Sequence, residues 1–352
     1  MRPRLIMVLA LAAIVAGGVL LVPGAYAHLG ADPVTRSGPA AQVDPAAQVG
    51  AAQVGAAQVG AAGTGRVAAA RLAAPPPPTL AAAPVRLKVN SAFFSWALLD
   101  RRTGRISGTP NRTATNTTES MIKVWLVSDY LRRLGDKPPP RARLRDASLA
   151  IVDSDDNAAE KLFRLGGGRP VIDRMIKICG LTGTRPSGPS GATSAWWSYT
   201  RISAEDAVRM GECVKNGRAA GPKWTRWVLD EMTRVRGSTA AKDQRTTSGG
   251  GRWGIVDGLP AYLKATTPVA IKNGWTMINA DGQWHLNCLA VADNWVLAVL
   301  LRYPRKQGLD YGAEICSRVA TQLVTPQPGA AIKVPLPVGH RAVPRAGRDG
   351  AS

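Results

Sequence analysis

The sequence contains few of the residues on which most hydrolytic and metal-binding sites depend. Its 352 residues include three histidines, His28, His285 and His340, which lie far apart. A Ser-His-Asp triad and a His-ligated zinc site are therefore not expected. The four cysteines have no C-x-x-C spacing, which excludes a zinc ribbon and a thioredoxin-type motif. The sequence thus predicts neither a metal nor another cofactor.

Acidic residues are also scarce, because 24 Asp and Glu accompany 45 Lys and Arg, giving a net charge of +21. A basic surface of this kind attracts anionic polymers. The N-terminal pattern described next predicts export, so nucleic acid is not an expected partner. The expected partners are anionic cell-wall polymers or membrane headgroups, and the alternative is that the charge only solvates the surface.

The first 27 residues have the pattern of an export signal. Arg2 and Arg4 precede an apolar run from Leu5 to Val22, and Ala25-Tyr26-Ala27 is a small-x-small cleavage site. No cysteine directly follows the run, so a lipid-modified cysteine is not expected. The sequence predicts a secreted protein associated with the cell wall. The alternative is an uncleaved membrane anchor, for which the run is short.

Low-complexity sequence surrounds the part that is expected to fold. Residues 28–84 repeat the unit Ala-Ala-Gln-Val-Gly and include the proline run 75–78, and a five-residue period suits neither a helix nor a strand. We interpret them as a linker. Residues 325–352 are rich in Pro, Gly and Arg and predict a disordered tail. Residues 85–324 are left as one domain.

In this domain, predicted strands at both ends enclose predicted helices. The strands are Phe93–Asp100, Arg105–Gly108, Pro268–Ile278, Gln283–Ala292 and Trp295–Tyr303. The helices are Ser120–Leu134, Asn157–Leu165, Val171–Ile178, Ala204–Lys215, Trp224–Arg234 and Gly312–Leu323. This order predicts an α/β (α+β) fold, with one antiparallel sheet flanked by helices and an all-helical lobe.

An even number of cysteines in an exported chain favours disulfides. Three pairings are possible. We favour the one between neighbours, Cys179 with Cys213 and Cys288 with Cys316, because each pair flanks one region of the predicted fold.

One predicted helix carries a serine and a lysine suited to acyl chemistry. Ser120 lies at its start, and Lys123 follows one turn later on the same face. The helix is apolar nearly all round, so Lys123 is expected to be buried, and burial lowers the pKa of an amine until it is a usable base. Free N–H groups at the helix start favour negative charge that develops near Ser120. The alternative is that Ser120 is only a first-turn or capping serine and that Lys123 extends to water.

Two further motifs follow Ser120 and Lys123 along the sequence. Ser154-Asp155-Asp156 precedes a helix, where capping is an alternative role for the acids, and Lys272-Asn273-Gly274 lies in a predicted strand. Together with Ser120-Met121-Ile122-Lys123, this order resembles the serine β-lactamase-like hydrolases, which include class A β-lactamases and penicillin-binding proteins. The resemblance covers residues 93–323 and implies a β-lactamase/transpeptidase-like fold.

The resemblance also implies site residues. The catalytic ones are Ser120 as nucleophile, Lys123 as its base or proton relay, Ser154 as proton donor to the leaving nitrogen, and Lys272, which holds the Ser154 hydroxyl. The substrate-binding ones are Asp156, Asn273, Gly274 and Trp275. The backbone N–H groups of Ser120 and Trp275 would form an oxyanion hole.

The sequence departs from the family pattern at three places. Asp156 replaces an asparagine and Asn273 replaces a threonine or serine, so both substrate contacts change. The loop from Cys179 to Ser203 contains no Asp or Glu to activate a water, so an acyl-enzyme should hydrolyse slowly.

The sequence therefore predicts an exported serine acyl hydrolase or acyltransferase that acts on peptide or β-lactam-like amides. A non-catalytic protein that binds cell-wall polymers is the alternative, and a true β-lactamase is the third possibility.

Overall fold

The structure, a computed structural model, describes residues 85–324 apart from Thr246 and Thr267. The predicted signal, linker and tail lie outside the described residues. Within the described part, no helix combines the length and the hydropathy that crossing a membrane requires.

The described residues form eight strands and eight α-helices. The strands are β1 (Phe93–Asp100), β2 (Ile106–Gly108), β3 (Thr115–Thr117), β4 (Arg201–Ser203), β5 (Ala270–Ile271), β6 (Gly274–Ile278), β7 (Gln283–Val291) and β8 (Trp295–Pro304). The helices are α1 (Lys123–Leu134), α2 (Arg141–Val152), α3 (Asp156–Leu165), α4 (Arg169–Cys179), α5 (Ala204–Lys215), α6 (Pro222–Thr233), α7 (Ala261–Thr266) and α8 (Gly308–Leu323).

The main sheet is antiparallel and has the order β2-β1-β8-β7-β5, with β6 also paired to β7. Helices cover both of its faces. Gly211 of α5 lies against Leu289 and Val291, whereas Gly312 of α8 lies against Leu286. Because successive strand residues point to opposite faces, these two helices pack on opposite sides of β7. Burial on both sides explains why β7 and β8 are nearly continuous apolar runs.

The helical lobe is built around α1, which contacts α2, α3, α4 and α6. Its residues from Lys123 to Leu131 are all buried. The Trp125 indole N–H donates to the Val171 carbonyl at 2.8 Å, which fixes α1 against α4. The predicted architecture, an antiparallel sheet with flanking helices and a helical lobe, is confirmed.

Three details differ from the sequence prediction. The strand predicted over 268–278 is divided into β5 and β6, which pair with β7 in one register and are separated by Lys272 and Asn273. Helix α2 was not predicted, since its first turn is rich in arginine and has little apolar periodicity. The helix predicted from Ser120 begins instead as a short 3₁₀ helix, Glu119–Ile122, which leads into α1.

The predicted disulfide pairing is confirmed. Cys179 at the end of α4 bonds Cys213 of α5, and Cys288 of β7 bonds Cys316 of α8. The first bond fastens the helical lobe to a helix that covers the sheet, and the second fastens the other covering helix to a central strand.

Removal of the second bond by the double substitution Cys288→Ser and Cys316→Ser is expected to lower the free energy of unfolding by about 3 kcal/mol, because it frees a loop of 28 residues in the unfolded chain. Urea titration of the variant and of the wild type measures the difference. The pair Cys179→Ser and Cys213→Ser provides a matched comparison, with a loop of 34 residues and an expected loss of similar size. A loss below about 1 kcal/mol in both variants would contradict the expectation.

Candidate active site

A cleft of about 740 Å³ lies where the helical lobe meets β6. Four of the predicted site residues line it, namely Ser120, Ser154, Asp156 and Trp275. The other four are buried beside them, namely Lys123, Lys272, Asn273 and Gly274. The three motifs, which are up to about 150 residues apart in sequence, therefore meet at one place.

The hydroxyl of Ser154 lies between two buried amines. Lys272 Nζ is 2.9 Å from Ser154 Oγ, and Lys123 Nζ is 3.4 Å from the same oxygen. Burial lowers the pKa of both lysines, and the charge of Lys123 lowers that of Lys272 further. Two ammonium groups around one hydroxyl repel each other, so the arrangement favours a neutral amine that can accept a proton.

Lys123 is fully buried, so the alternative in which it reaches water is wrong. Its Nζ lies 2.5 Å from Asp156 Oδ1 and 2.5 Å from the Ser154 carbonyl, and 5.1 Å from the centre of the Trp197 ring. Burial lowers the pKa of Lys123, and Asp156 opposes that effect. The carboxylate that replaces the family's asparagine thus pairs with the candidate base, and its side chain keeps 44% of its surface exposed to the cleft side.

Ser120 is the second residue of the 3₁₀ helix and is half-buried at the cleft. The N-cap residue of this helix is Thr118, so Ser120 lies in the first turn and not at the cap position. Gly274 of β6 passes close by, since a Cβ on Gly274 would lie 2.7 Å from the Ser120 nitrogen and 2.5 Å from the Met121 nitrogen. Glycine is therefore required at this position. The close approach also brings Trp275, the next residue of β6, beside the start of the helix.

Two residues of the cleft have a strained backbone. In the described part of the chain, Glu119 (φ 46°) and Ser154 (φ 52°) are the two non-glycine residues in the left-handed region. Such a conformation costs about 1–3 kcal/mol and is concentrated at functional sites. Both residues line the cleft, and one of them directly precedes Ser120.

Asn273 was predicted to bind substrate, but its amide nitrogen has a different use. Its Nδ2 donates to the Gly251 carbonyl at 2.9 Å and to the Trp253 carbonyl at 2.8 Å. Both hydrogens of the amide therefore bond to carbonyl groups of a neighbouring loop. The Asn273 amide therefore has no hydrogen left to replace the hydroxyl contact of the family pattern.

Asp155 takes the alternative role that the sequence suggested for it. Its Oδ1 accepts the Ala158 N–H at 2.7 Å and so caps α3. Asp156 is the first residue of that helix and faces Lys123. The two neighbouring acids thus have separate tasks.

An aromatic wall, defined here as Trp196, Trp197 and Tyr199, forms one side of the cleft. Trp197 is buried, and its indole N–H donates to Glu160 at 3.0 Å. Trp196 keeps 37% of its surface exposed. The wall therefore both fixes its loop to α3 and presents an apolar surface to a ligand.

Sequence reasoning missed three residues that shape the site. Asn287 of β7 donates its amide hydrogens to the carbonyls of Thr117 at 2.7 Å and Thr118 at 3.1 Å, which holds the segment before Ser120. Its signal was a polar residue within a buried apolar strand. Glu119 and Glu160 are carboxyl groups that line the cleft. Glu160 also accepts from Arg164 at 2.6 Å.

Comparison with known proteins agrees with this geometry. Residues 136–242 match the family described as "Beta-lactamase enzyme family". The matched segment contains the second motif, and the first and third lie on either side of it. The chain thus resembles this family in sequence over the matched segment.

Among curated proteins, the chain is similar to LppW, a candidate lipoprotein of Mycobacterium tuberculosis (strain ATCC 25618 / H37Rv), and to LppW of Mycobacterium bovis. In both cases 30% of 199 residues are identical, which covers 56% of this chain and 58% of the relative. The chain therefore spans less than two thirds of the length of these relatives.

Among solved structures, an ancestral class A β-lactamase (GNCA) is 17% identical, with 66% of this chain and 93% of that chain covered and a TM-score of 0.49. PBP-A is 14% identical, with coverages of 67% and 91% and a TM-score of 0.49. A class A β-lactamase from Mycobacterium abscessus is 16% identical, with coverages of 64% and 92% and a TM-score of 0.47.

Proposed function

We propose that the chain is an exported serine acyl hydrolase or acyltransferase that forms an acyl-enzyme on Ser120 with peptide or β-lactam-like amides. The observation that carries this proposal is the buried group of Lys123, Ser154 and Lys272 beside a cleft that Ser120 lines. A structural role alone does not require two buried lysines around one serine hydroxyl, because each buried amine is costly.

In the proposed reaction, the Ser120 oxygen attacks the carbonyl carbon of the amide, and a neutral Lys123 accepts its proton. The new C–O bond forms as the carbonyl becomes an oxyanion, which accepts hydrogen bonds from the N–H groups of Ser120 and Trp275. The C–N bond then breaks. Ser154 gives its proton to the leaving nitrogen. Lys123 returns the proton that it took from Ser120 to Ser154 across the 3.4 Å contact, while Lys272 holds the Ser154 oxygen at 2.9 Å.

Release of the acyl group should be slow. Three carboxyl groups line the cleft. Asp156 is paired with Lys123, Glu160 accepts from both Trp197 and Arg164, and Glu119 is 4% exposed and bonded to the Thr117 hydroxyl. Each of the three is thus engaged by other side chains, and the loop from Cys179 to Ser203 contains no acid that could deprotonate a water. An incoming amine is a better nucleophile than water and depends less on such a base, so the intermediate is proposed to transfer its acyl group to an amine.

Labelling with a fluorescent penicillin, followed by a chase with unlabelled penicillin, tests the proposal. We expect one covalent adduct per chain by intact mass, located on the peptide that contains Ser120, and loss of less than about half of the label in an hour. Little or no nitrocefin turnover is expected. Absence of any adduct at all pH values would overturn the proposal, and rapid turnover would replace it with a true β-lactamase.

A second candidate is a non-catalytic protein that binds anionic cell-wall polymers. Two observations favour it. The net charge is +21, and Lys123, the candidate base, forms an ion pair with Asp156 that favours the protonated form of its amine. Binding to purified wall material that a Ser120→Ala variant retains, together with no penicillin adduct on the wild type, would support this alternative. Export rests on the sequence pattern of residues 1–27.

A further inference from the structure

A carboxyl group next to Ser120 belongs to a buried chain of hydrogen bonds. Glu119 is 4% exposed, and its Oε1 lies 2.7 Å from Thr117 Oγ1. The same hydroxyl lies 2.7 Å from Nδ1 of His285, and Nε2 of His285 lies 2.8 Å from Asp281 Oδ2. Asp281 is partly exposed, so this row of hydrogen-bonded side chains extends from the surface to the cleft. The proposed mechanism uses none of these four side chains.

The hydrogen-bonded row formed by Glu119, Thr117, His285 and Asp281 needs one proton more than its neutral threonine and imidazole supply. It contains three contacts, from Glu119 to Thr117, from Thr117 to His285 and from His285 to Asp281. A threonine hydroxyl supplies one hydrogen and a neutral imidazole supplies another. With both carboxyl groups ionised, one of the three contacts would join two acceptors. All three become hydrogen bonds only when one of the titratable groups carries an extra proton.

The surroundings place that proton on Glu119. Burial raises the pKa of Glu119 to about 7, the contacts with Thr276 and Thr117 lower it, and the charge of Asp156 raises it while that of Lys123 lowers it. Burial lowers the pKa of His285; Asp281 opposes this, and Arg302 and Arg201 add to it. For Asp281, burial raises the pKa, but the hydrogen bond with His285 and other contacts bring it below its usual value.

The position of Glu119 connects this proton to the candidate oxyanion hole. Glu119 directly precedes Ser120, and its other side-chain partner, Thr276, directly follows Trp275. Thr276 also lies opposite His285 in the register of β6 and β7. The Glu119 carboxyl therefore links the two backbone segments whose N–H groups would receive the oxyanion, and a negative charge there would oppose the charge that develops in the reaction.

We infer that Glu119 is a positioning residue, which in its protonated form aligns the N–H groups of Ser120 and Trp275 and whose ionisation slows acylation of Ser120. The inference rests on the proposed function for its effect on rate. The proton count and the position of Glu119 do not depend on that function.

The substitution Glu119→Gln tests the inference, because an amide keeps the hydrogen bonds and cannot ionise. Labelling rates with fluorescent penicillin are measured from about pH 5.5 to about pH 9. Relative to the Glu119→Gln variant, the wild-type rate is expected to fall about tenfold as Glu119 ionises around pH 7. The comparison is made as the ratio of the two rates at each pH, so that titration of groups present in both proteins cancels. Glu314→Gln, at an exposed position of α8, is the matched control and should follow the wild type.

Infrared spectroscopy gives a readout that does not require activity. The band of a protonated carboxyl group should disappear around pH 7 in the wild type and should be absent in the Glu119→Gln variant. Equal labelling profiles for wild type and variant, or a carboxyl band that the substitution leaves unchanged, would overturn the inference. If no pH gives an adduct, the proposed function fails, and the infrared band still decides whether Glu119 holds the proton.

Discussion

Replacement of Ser120 by alanine is expected to reduce labelling by fluorescent penicillin to background. The 3₁₀ helix places this hydroxyl at the cleft, next to the close approach of Gly274. An alanine leaves the backbone and the other catalytic groups in place but provides no atom that can form the acyl bond. Intact mass spectrometry after incubation with the probe measures the adduct directly.

Ser128→Ala is the matched control for this experiment. Ser128 is a buried serine of α1 whose hydroxyl donates to the Val124 carbonyl at 2.7 Å, and it does not line the cleft. This variant should be labelled like the wild type. Full labelling of Ser120→Ala, or an adduct that maps to another residue, would remove Ser120 from the role of nucleophile.

Replacement of Lys123 by methionine is expected to slow labelling by about a hundredfold or more, which is the usual contribution of a positioned general base. Methionine has a similar length, so it fills the fully buried space without an amine. Asp156, which loses its partner, is exposed enough to be solvated, so the fold should be retained. Single-turnover labelling rates measure the effect, and thermal unfolding checks that the variant is folded.

Lys161→Met is the corresponding control. Lys161 lies on α3, its side chain is 55% exposed, and it reaches Asp146 at 3.4 Å, away from the cleft. Its variant should be labelled at the wild-type rate. A Lys123→Met protein that is folded and labelled as fast as the wild type would show that another group accepts the proton, and Lys272 would then be the first to examine.

The sequence predicts the architecture well where the patterns are long. Strands β7 and β8 are mostly apolar and follow turns at Asp281-Gly282 and Asp293-Asn294, and both strands occur within one residue of the predicted bounds. Helix α2 was missed because tertiary packing, more than its own arginine-rich first turn, determines its buried face. Local patterns cannot report such packing.

The sequence predicted the part of the candidate site that depends on local spacing and missed the part that depends on tertiary contacts. A spacing of three residues put Ser120 and Lys123 on one face, and an apolar helix predicted that Lys123 is buried. The direction of a side chain at the end of a strand is not encoded in that way, so the turn of Asn273 towards Gly251 could not be foreseen. Glu119 was missed because its environment is made by Thr276 and His285, which are distant in sequence.

The disulfide between Cys288 and Cys316 lies next to a residue that supports the candidate site. Cys288 directly follows Asn287, the residue that holds the two carbonyls ahead of Ser120. We therefore expect the Cys288–Cys316 bond to help keep Asn287 in place. Protein made in a reducing cytosol should therefore be refolded with a glutathione redox pair, or directed to an oxidising compartment, before its reactivity is assayed.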